Sequence, residues 1–372
     1  AVNLDYTAEL KLKNEALQKF WSSLKISLPL ASLIPSPLGR HYRTTTKRKV
    51  FHERGSIRLG LISPNEEGGP FDVVQCAIEP TEHAAIYRQI QESIVKPYAK
   101  RLAEELNYVV IKGNYREQTI IFNVQEMAAL RAANTLSKTL TKRFPAIVGL
   151  FVYEDSTSPQ YYLGATNQSK QPKFKKLFGK PEIFQRVLGR HFLSSPLSFS
   201  QINQSIIEKM IRSAVELLEP KKQSRFYDLY CGYGLFALCL SEHAASVVGV
   251  EISPSSIESA IANARRQKVL NARFIRSNID AESIGRVMKN SQPDDVVLLD
   301  PPRNGTAEGV IECIAARKPA RVLHIFCEID LIPKEMKRWE KSGYKAARAI
   351  PFDMFPGTAT METMILLEPK IA

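Results

Sequence analysis

The sequence predicts an α/β protein whose second half is a doubly wound, mostly parallel sheet and whose first half is an α+β domain. Two observations carry this. From residue 201 onward, short apolar runs alternate with amphipathic stretches, the rhythm of a parallel sheet with helices on both faces. The first of these runs leads directly into "DLYCGYGLFA" (228–237), where glycines permit the tight strand-to-helix turn such sheets use beside a ligand. At 372 residues the chain is long enough for two or three domains, and a boundary at 195/196 separates the two rhythms: 1–195 and 196–372.

In the first half, residues 8–24 have helical amphipathicity. "KRKVFHERGSIRLGLI" (47–62) alternates as a strand pair turning at Gly55-Ser56. Residues 82–106 predict one long helix, "YVVIKG" and "TIIFNV" a hairpin, and 126–143 a helix. "AIVGLFVYED" and "PQYYLG" are further strands. "NQSKQPKFKKLFGKP" (167–181) is basic and punctuated by Gly and Pro, which predicts an exposed loop. In the second half a helix over 201–219 precedes five strands, "RFYDLY", "SVVGVE", "ARFIRS", "DVVLLD" and "RVLHIF", with a helix at 254–267 and others in the gaps. The stretch 345–368 reads as two strands joined by an irregular loop. Ligands in such sheets bind beyond the carboxyl ends of the strands, where Asp228, Glu251, Asp300 and Cys327 fall.

Composition excludes several classes. Hydrophobic content of 44% and charged content of 24% are those of a globular protein. No apolar run is long enough to span a bilayer, and the first twenty residues lack the basic-then-apolar order of a signal peptide. The five cysteines form no CxxC pair and have no histidine at zinc spacing, so neither a disulfide framework nor a metal site is expected and a cytoplasmic location is. The net charge of +13 is lopsided: residues 1–200 carry 28 Lys/Arg against 17 Asp/Glu. Clustered cations favour a polyanionic partner; the alternative is a solvated basic surface. Arg43, Lys47, Arg48 and Lys49 form one candidate patch, and Lys170, Lys173, Lys175, Lys176 and Lys180 another.

Gly232 and Gly234 after the first strand, with Glu251 ending the second, fit a bound adenosine whose ribose hydroxyls donate to the carboxylate. This suits NAD and S-adenosylmethionine alike. "DPPRNG" (300–305) at the end of the fourth strand narrows the choice. Two prolines hold Asp300 and Arg303 rigidly at the cofactor rim, a device with no evident use in a dehydrogenase. In methyltransferases acting on planar amino groups the place of Arg303 is aromatic, which disfavours that chemistry.

With "FSQIN" (199–203), "DLYCGYGLFAL", "DPPRNG" and "FDMFPGTATME" (352–362) in this order, residues 199–372 resemble the S-adenosylmethionine-dependent RNA 5-methyluridine methyltransferases; "HYRTTTKRKVF" (41–51) is similar to an early segment of the same family. The resemblance implies a Rossmann-like class I methyltransferase domain, S-adenosylmethionine as cofactor, and RNA, tRNA or rRNA, as partner; no obligate protein partner is inferred from the sequence. Carried over by motif, Gln201 contacts cofactor or target base. Asp228, Gly232, Gly234 and Glu251 hold the cofactor, with Asn278, where the family has Asp, near the adenine. Asp300 orients the uracil, Cys327 is the nucleophile, Glu362 the general base, and Arg303 an RNA contact. Cys327 stands in Phe-Cys-Glu-Ile rather than Ser-Cys-Asn-Pro, and Thr360 replaces a histidine. Neither an OB-type module nor the cysteine cluster of an iron–sulfur centre is recognisable, so no such cluster is expected.

Carbon 5 of uracil is a weak nucleophile; a thiolate adding to carbon 6 makes it an enolate carbon able to take a methyl group, and a base then removes the proton from carbon 5. Glu328 and Asp330 beside Cys327 oppose thiolate formation. His324, alternating away from Cys327, is read as a core residue, and the other cysteines as packing. A non-catalytic RNA-binding homologue, a cytosine-5 methyltransferase and a nicotinamide-dependent oxidoreductase are the alternatives.

Overall fold

A computed structural model describes residues 4–24, 28–53, 56–63, 70–156 and 173–370. The chain divides into two compact units: residues 1–39, 186–192 and 198–372 form one, residues 40–185 and 193–197 the other. A single cut at 195/196 therefore misplaces the N-terminal stretch, which groups with the C-terminal unit. The physical reason lies in α1 (Tyr6–Ser23). Asp5 caps it by accepting from the Thr7 amide, and it buries Glu9, Lys13, Leu17 and Trp21, one turn apart on a single face. Leu17 and Trp21 enter the apolar core of the C-terminal unit, and Lys13 pairs with Asp353.

The middle unit begins with β1 (Thr45–Glu53), β2 (Ser56–Ile62) and β3 (Pro70–Phe71). Residues 54 and 55 of the expected turn lie outside the described residues. The helix expected over 82–106 is two, α2 (Thr81–Ile94) and α3 (Lys100–Glu105). Pro97 opens a 3₁₀ turn between them, since proline cannot continue a helical hydrogen-bond ladder. The strands β4 (Leu106–Gly113) and β5 (Gln118–Val124) pair antiparallel and are buried throughout. Then come α4 (Leu130–Arg143), β6 (Ile147–Glu154) and β7 (Phe174–Gly179). The sheet order is β3-β2-β1-β4-β5-β6-β7, antiparallel except between β5 and β6. One face packs Val109, Ile111, Ile120, Phe122 and Val152 against apolar residues of α2 and α4. The predicted loop at 167–181 is corrected in part: 174–179 is the edge strand β7, because Phe174 stacks on Phe151 at 4.8 Å and Leu177 packs on the core. "PQYYLG" and Lys170 lie outside the described residues. A two-stranded sheet of β8 (Ile183–Val187) and β9 (Arg190–Ser194) follows.

The C-terminal unit has the doubly wound form. Its elements are α5 (Ile207–Leu218), β10 (Arg225–Leu229), α6 (Leu235–Leu240), β11 (Ser246–Glu251), α7 (Pro254–Arg266), β12 (Ala272–Arg276), α8 (Ala281–Val287), β13 (Val296–Leu299), α9 (Val310–Ala316), β14 (Arg321–Phe326), α10 (Ile332–Lys341), β15 (Tyr344–Phe352) and β16 (Glu362–Pro369). The sheet order is β12-β11-β10-β13-β14-β16-β15. The first five strands are parallel, and β16 runs antiparallel to both its neighbours. Phe226, Leu298, Leu323 and Met364 fill one face against α5 and α6. Tyr227, Leu229, Val297, Val322 and Ile365 fill the other against α1, α8, α9 and α10. Strand order reverses between β10 and β13, the position at which such sheets open a crevice at their carboxyl rim. Among the described residues no helix is long and apolar enough to cross a membrane.

Candidate active site

The β10–α6 turn forms one wall of that rim. Tyr230, Gly232 and Gly234 have φ of +68°, +52° and +86°, so the chain coils left-handed three times within five residues. A side chain at Gly234 would meet the Ala260 Cβ and the Phe274 ring at 3.2 Å; one at Gly232 would meet nothing within 4 Å. The Gly232 amide donates to Glu251 Oε2 at 3.2 Å, and the Ser253 amide donates to Oε1 at 2.8 Å. Glu251 is thus aimed by two backbone groups. Asp228 is buried and accepts from the Ala237 amide at 2.8 Å through Oδ2, while its Oδ1 has no hydrogen-bond partner among the described residues. Burial holds its carboxyl well above the usual carboxylate range, with Asp300 and Glu251 adding to the effect.

The second wall is the loop after β13. Gln201 Nε2 donates to Asp300 Oδ2 at 3.5 Å, and Gly305, at φ +80°, closes a turn onto the Pro302 carbonyl at 2.8 Å. The loop is fastened from below. The Thr306 amide and hydroxyl both donate to Glu335 Oε1 of α10, at 2.8 and 2.7 Å. Glu335 Oε2 lies 3.2 Å from His324 Nε2, and the Trp339 indole donates to His324 Nδ1 at 3.1 Å. His324 is fully buried, as expected from its alternation, and burial lowers its pKa to about 3.

The third wall brings Cys327 and Glu362 together. Phe326, the last residue of β14, is paired with Thr363 of β16 in antiparallel register, so one step further along Cys327, just past the strand end, comes opposite Glu362, the first residue of β16. A separation of 35 residues in sequence closes to adjacent strands. Cys327 Sγ sits 3.9 Å from the Pro301 carbonyl oxygen. Burial pushes its thiol up to about 12, helped by Glu362, Asp300 and Glu328; Arg303 opposes. Glu362 is buried, its Oε2 without a hydrogen-bond partner among the described residues, and its carboxyl lies well above the usual range through burial and Asp300. Burial likewise raises Asp300 to about 7. Arg303, largely exposed, reaches Glu328 at 3.4 Å.

Of the residues singled out from sequence, Gln201, Asp300, Cys327 and Glu362 converge on one spot, with Asp228, Gly232, Gly234 and Glu251 along the same rim. Asn278 stands beyond the end of β12, exposed, its carbonyl accepting from the Ser283 hydroxyl at 2.5 Å. The basic residues fare unevenly. Arg48 is corrected as a phosphate contact: it is 3% exposed, both its terminal nitrogens donate to Glu79, and its guanidinium lies 4.4 Å from the Tyr87 ring centre. Lys47 lies over Tyr108 at 5.4 Å, and burial lowers its pKa. Lys49 lies 5.6 Å from the Phe51 ring centre, and Arg43 donates to the Thr45 carbonyl. Lys173 and Lys180 pair with Glu154 and Glu117, each at 2.7 Å. Lys175 and Lys176 are exposed and make no ion pair among the described residues.

Two features escaped sequence reasoning. Phe199, two residues before Gln201, is 58% exposed; an aromatic within the motif was the available signal. The loop leading to Glu362 is held by α1: Lys13 Nζ donates to Asp353 Oδ1 and to the Phe355 carbonyl at 2.7 and 3.1 Å, and the Tyr6 hydroxyl donates to Asp353 Oδ2 at 2.9 Å.

Residues 185–370, which contain every wall of this site, match the family model for tRNA (uracil-5-)-methyltransferases. The chain belongs to this family of RNA methyltransferases. An RNA methyltransferase from Clostridium tetani described as uncharacterised is 28% identical over 332 residues, covering 88% of the chain and 70% of that protein. One from Thermotoga maritima is 26% identical, covering 98% and 81%. One from Streptococcus pyogenes is 27% identical, covering 73% of the chain and 58% of that protein, so the chain spans little more than half of some relatives. The solved structure of the Pyrococcus abyssi tRNA (uracil-54, C5)-methyltransferase with S-adenosyl-L-homocysteine superposes with a TM-score of 0.73 at 20% identity, covering 98% of the chain and 84% of that structure. That likeness is one of fold. Within the family frame, Glu328 and Thr360 stand where asparagine and histidine are usual.

Proposed function

We propose that this protein transfers a methyl group from S-adenosylmethionine to carbon 5 of a uridine in RNA, through a covalent bond between Cys327 and carbon 6 of the base. The observation that carries the reading is the cross-strand placement of Cys327 against Glu362, with Asp300 beside them, at the rim where strand order reverses. A nucleophile and a buried carboxyl beside it, which acts as a base once ionised, are the two groups the reaction needs.

The rim also suits the cofactor. The open space over Gly232 leaves room for a ligand to approach the backbone, the fixed Glu251 carboxylate can accept from ribose hydroxyls, and the unpartnered Asp228 Oδ1 is an acceptor for an amino group. When bound, the sulfonium supplies an electrophilic methyl group. The protein's residues handle the base. The Cys327 thiol gives its proton to solvent and Sγ adds to carbon 6, moving the electron pair of the ring double bond onto carbon 5, the atom that takes the methyl group, while Asp300, held by Gln201, orients the ring edge. Glu362, in its carboxylate form, takes the proton from carbon 5, and the Cys327–carbon bond breaks to release the product. The base must leave its stack to reach this rim. A cytoplasmic setting belongs to the same proposal.

The protonated state of Cys327 favours one second reading, a homologue that binds RNA without turnover. A single experiment separates the two. RNA carrying 5-fluorouridine is mixed with protein and S-adenosylmethionine and run on a denaturing gel, since fluorine cannot leave as a proton. A slow-migrating band, absent in Cys327→Ala, is expected. Its absence, with cofactor binding intact and bulk cellular RNA as substrate, sinks the covalent reading. Nucleoside analysis of methylated RNA distinguishes uracil from cytosine as the target.

A further inference from the structure

The middle unit carries a helix face with no acidic residue on it. The sequence of α4 is LRAANTLSKTLTKR. Its inner side, Ala132, Ala133, Leu136 and Leu140, packs on the sheet. Its outer side presents Arg131, Lys138, Lys142 and Arg143, interleaved with Asn134, Thr135 and Thr139, all exposed. Arg131, Lys138 and Lys142 stand at i, i+7 and i+11, one line along the helix, spanning about 16 Å. None of these three makes an ion pair among the described residues. Lys138, Thr139, Lys142 and Arg143 line an open surface hollow, and α4 packs beside the edge strand β7. Lys175, alternating with Phe174, shares the α4 side of the sheet with Leu177.

Helix stability alone does not account for this pattern. Cations in the last turn, Lys142 and Arg143, do complement the helix dipole, but Arg131 in the first turn opposes it, and no acid stands there to compensate. A surface serving only solubility would mix signs, since i,i+4 acid–base pairs stabilise an exposed helix. Uniform positive charge with amide and hydroxyl donors between is the composition that meets phosphate oxygens. By contrast, the basic residues of β1 are engaged with Glu79, Tyr87, Tyr108 and Phe51.

We propose that the outer face of α4, with Lys175 of β7, is a docking surface for the RNA phosphate backbone. This rests on the RNA-methylating reading of the C-terminal unit and adds where the remainder of the RNA is held. The contact is to phosphate and carries no sequence information.

The test is salt-dependent binding of fluorescently labelled bulk tRNA to the full chain, since phosphate contacts report on any structured RNA. The variant Lys138→Gln/Lys142→Gln is compared with Lys11→Gln/Lys19→Gln, which removes the same charge from the exposed side of α1. Thermal melting checks that both fold. Loss of two phosphate contacts is expected to weaken binding about tenfold at low salt and to reduce the slope of log K against log[salt] by about 1.5–2. The α1 variant should leave the slope in place, and Lys138→Arg/Lys142→Arg should restore it. An unchanged slope in the glutamine variant overturns the proposal. So does an unchanged RNA slope with lost retention on immobilised poly-glutamate, which would assign the face to an acidic protein. If the slope falls but no RNA is methylated by the wild-type chain, the docking surface stands and the methylation reading fails. If methylation proceeds and the slope is unmoved, the surface alone fails.

Discussion

Lys13 Nζ lies 2.7 Å from Asp353 Oδ1, both residues buried, and through this pair the first helix of the chain holds the loop that leads to Glu362. Burial raises the pKa of Asp353, and Lys13 and Tyr6 act against that rise by bonding its charged form. Removing one member of a buried pair leaves the other charged and desolvated, a loss of about 3–5 kcal/mol. Lys13→Met should therefore lower unfolding free energy by that order in a denaturant titration. Lys13→Met/Asp353→Asn should recover part of it, because Asp353 then carries no charge; buried Glu9, 3.2 Å from Lys13 in the parent, limits the recovery.

Glu328 is one of three carboxylates that keep Cys327 protonated. Glu328→Gln removes one and frees Arg303 from its 3.4 Å contact, so both changes favour thiolate. Alkylation of Cys327 by iodoacetamide at pH 8 should be faster in the variant, with a midpoint below the value of about 12 for the parent. An unchanged rate would mean that burial, Glu362 and Asp300 set the thiol without Glu328.

The pH dependence of stability has a defined sign at Asp300. Its folded pKa of about 7 lies above the ordinary 3.8. Between these values the folded state binds more protons than the unfolded one, so stability falls as pH rises through that window. The contribution is fully present below about pH 4 and lost above pH 7. Relative to Asp300→Asn, the parent should lose unfolding free energy between pH 5 and pH 7.5; a parallel pair of profiles would refute this.

Gly234 combines a left-handed φ with close neighbours. Gly234→Ala places a methyl group 3.2 Å from Ala260 and Phe274 in a conformation that costs L-residues about 1–2 kcal/mol. A drop in melting temperature is expected, together with weaker S-adenosylmethionine binding by calorimetry as the turn shifts.

How much of this was legible in the sequence differs by element. The five parallel strands were, because strands buried on both faces read as continuous apolar runs such as "DVVLLD" and "RVLHIF". The convergence of Cys327 and Glu362 followed from placing both at strand ends on one rim; their cross-strand register did not, since pairing depends on β16 inserting between β14 and β15. The allegiance of α1 was hidden because Lys13 reads as a surface residue until Asp353, 340 positions away, is beside it. Arg48 misled for the same reason: its partner Glu79 is non-local. The break at Pro97 was written in the sequence; β7 was not, because Phe174, Lys175, Lys176 and Leu177 do not alternate and Gly and Pro flank them.

The burial of Cys327 and the carboxylates around it also determine what the resting protein ignores. Oxidation to sulfenic acid and attack on stray electrophiles both proceed from the thiolate, and a thiol titrating at about 12 offers almost none near neutrality. A methyl sulfonium seated at the same rim would itself be such an electrophile. Burial and the acidic surround thus make the cysteine chemically quiet toward peroxide and toward self-alkylation.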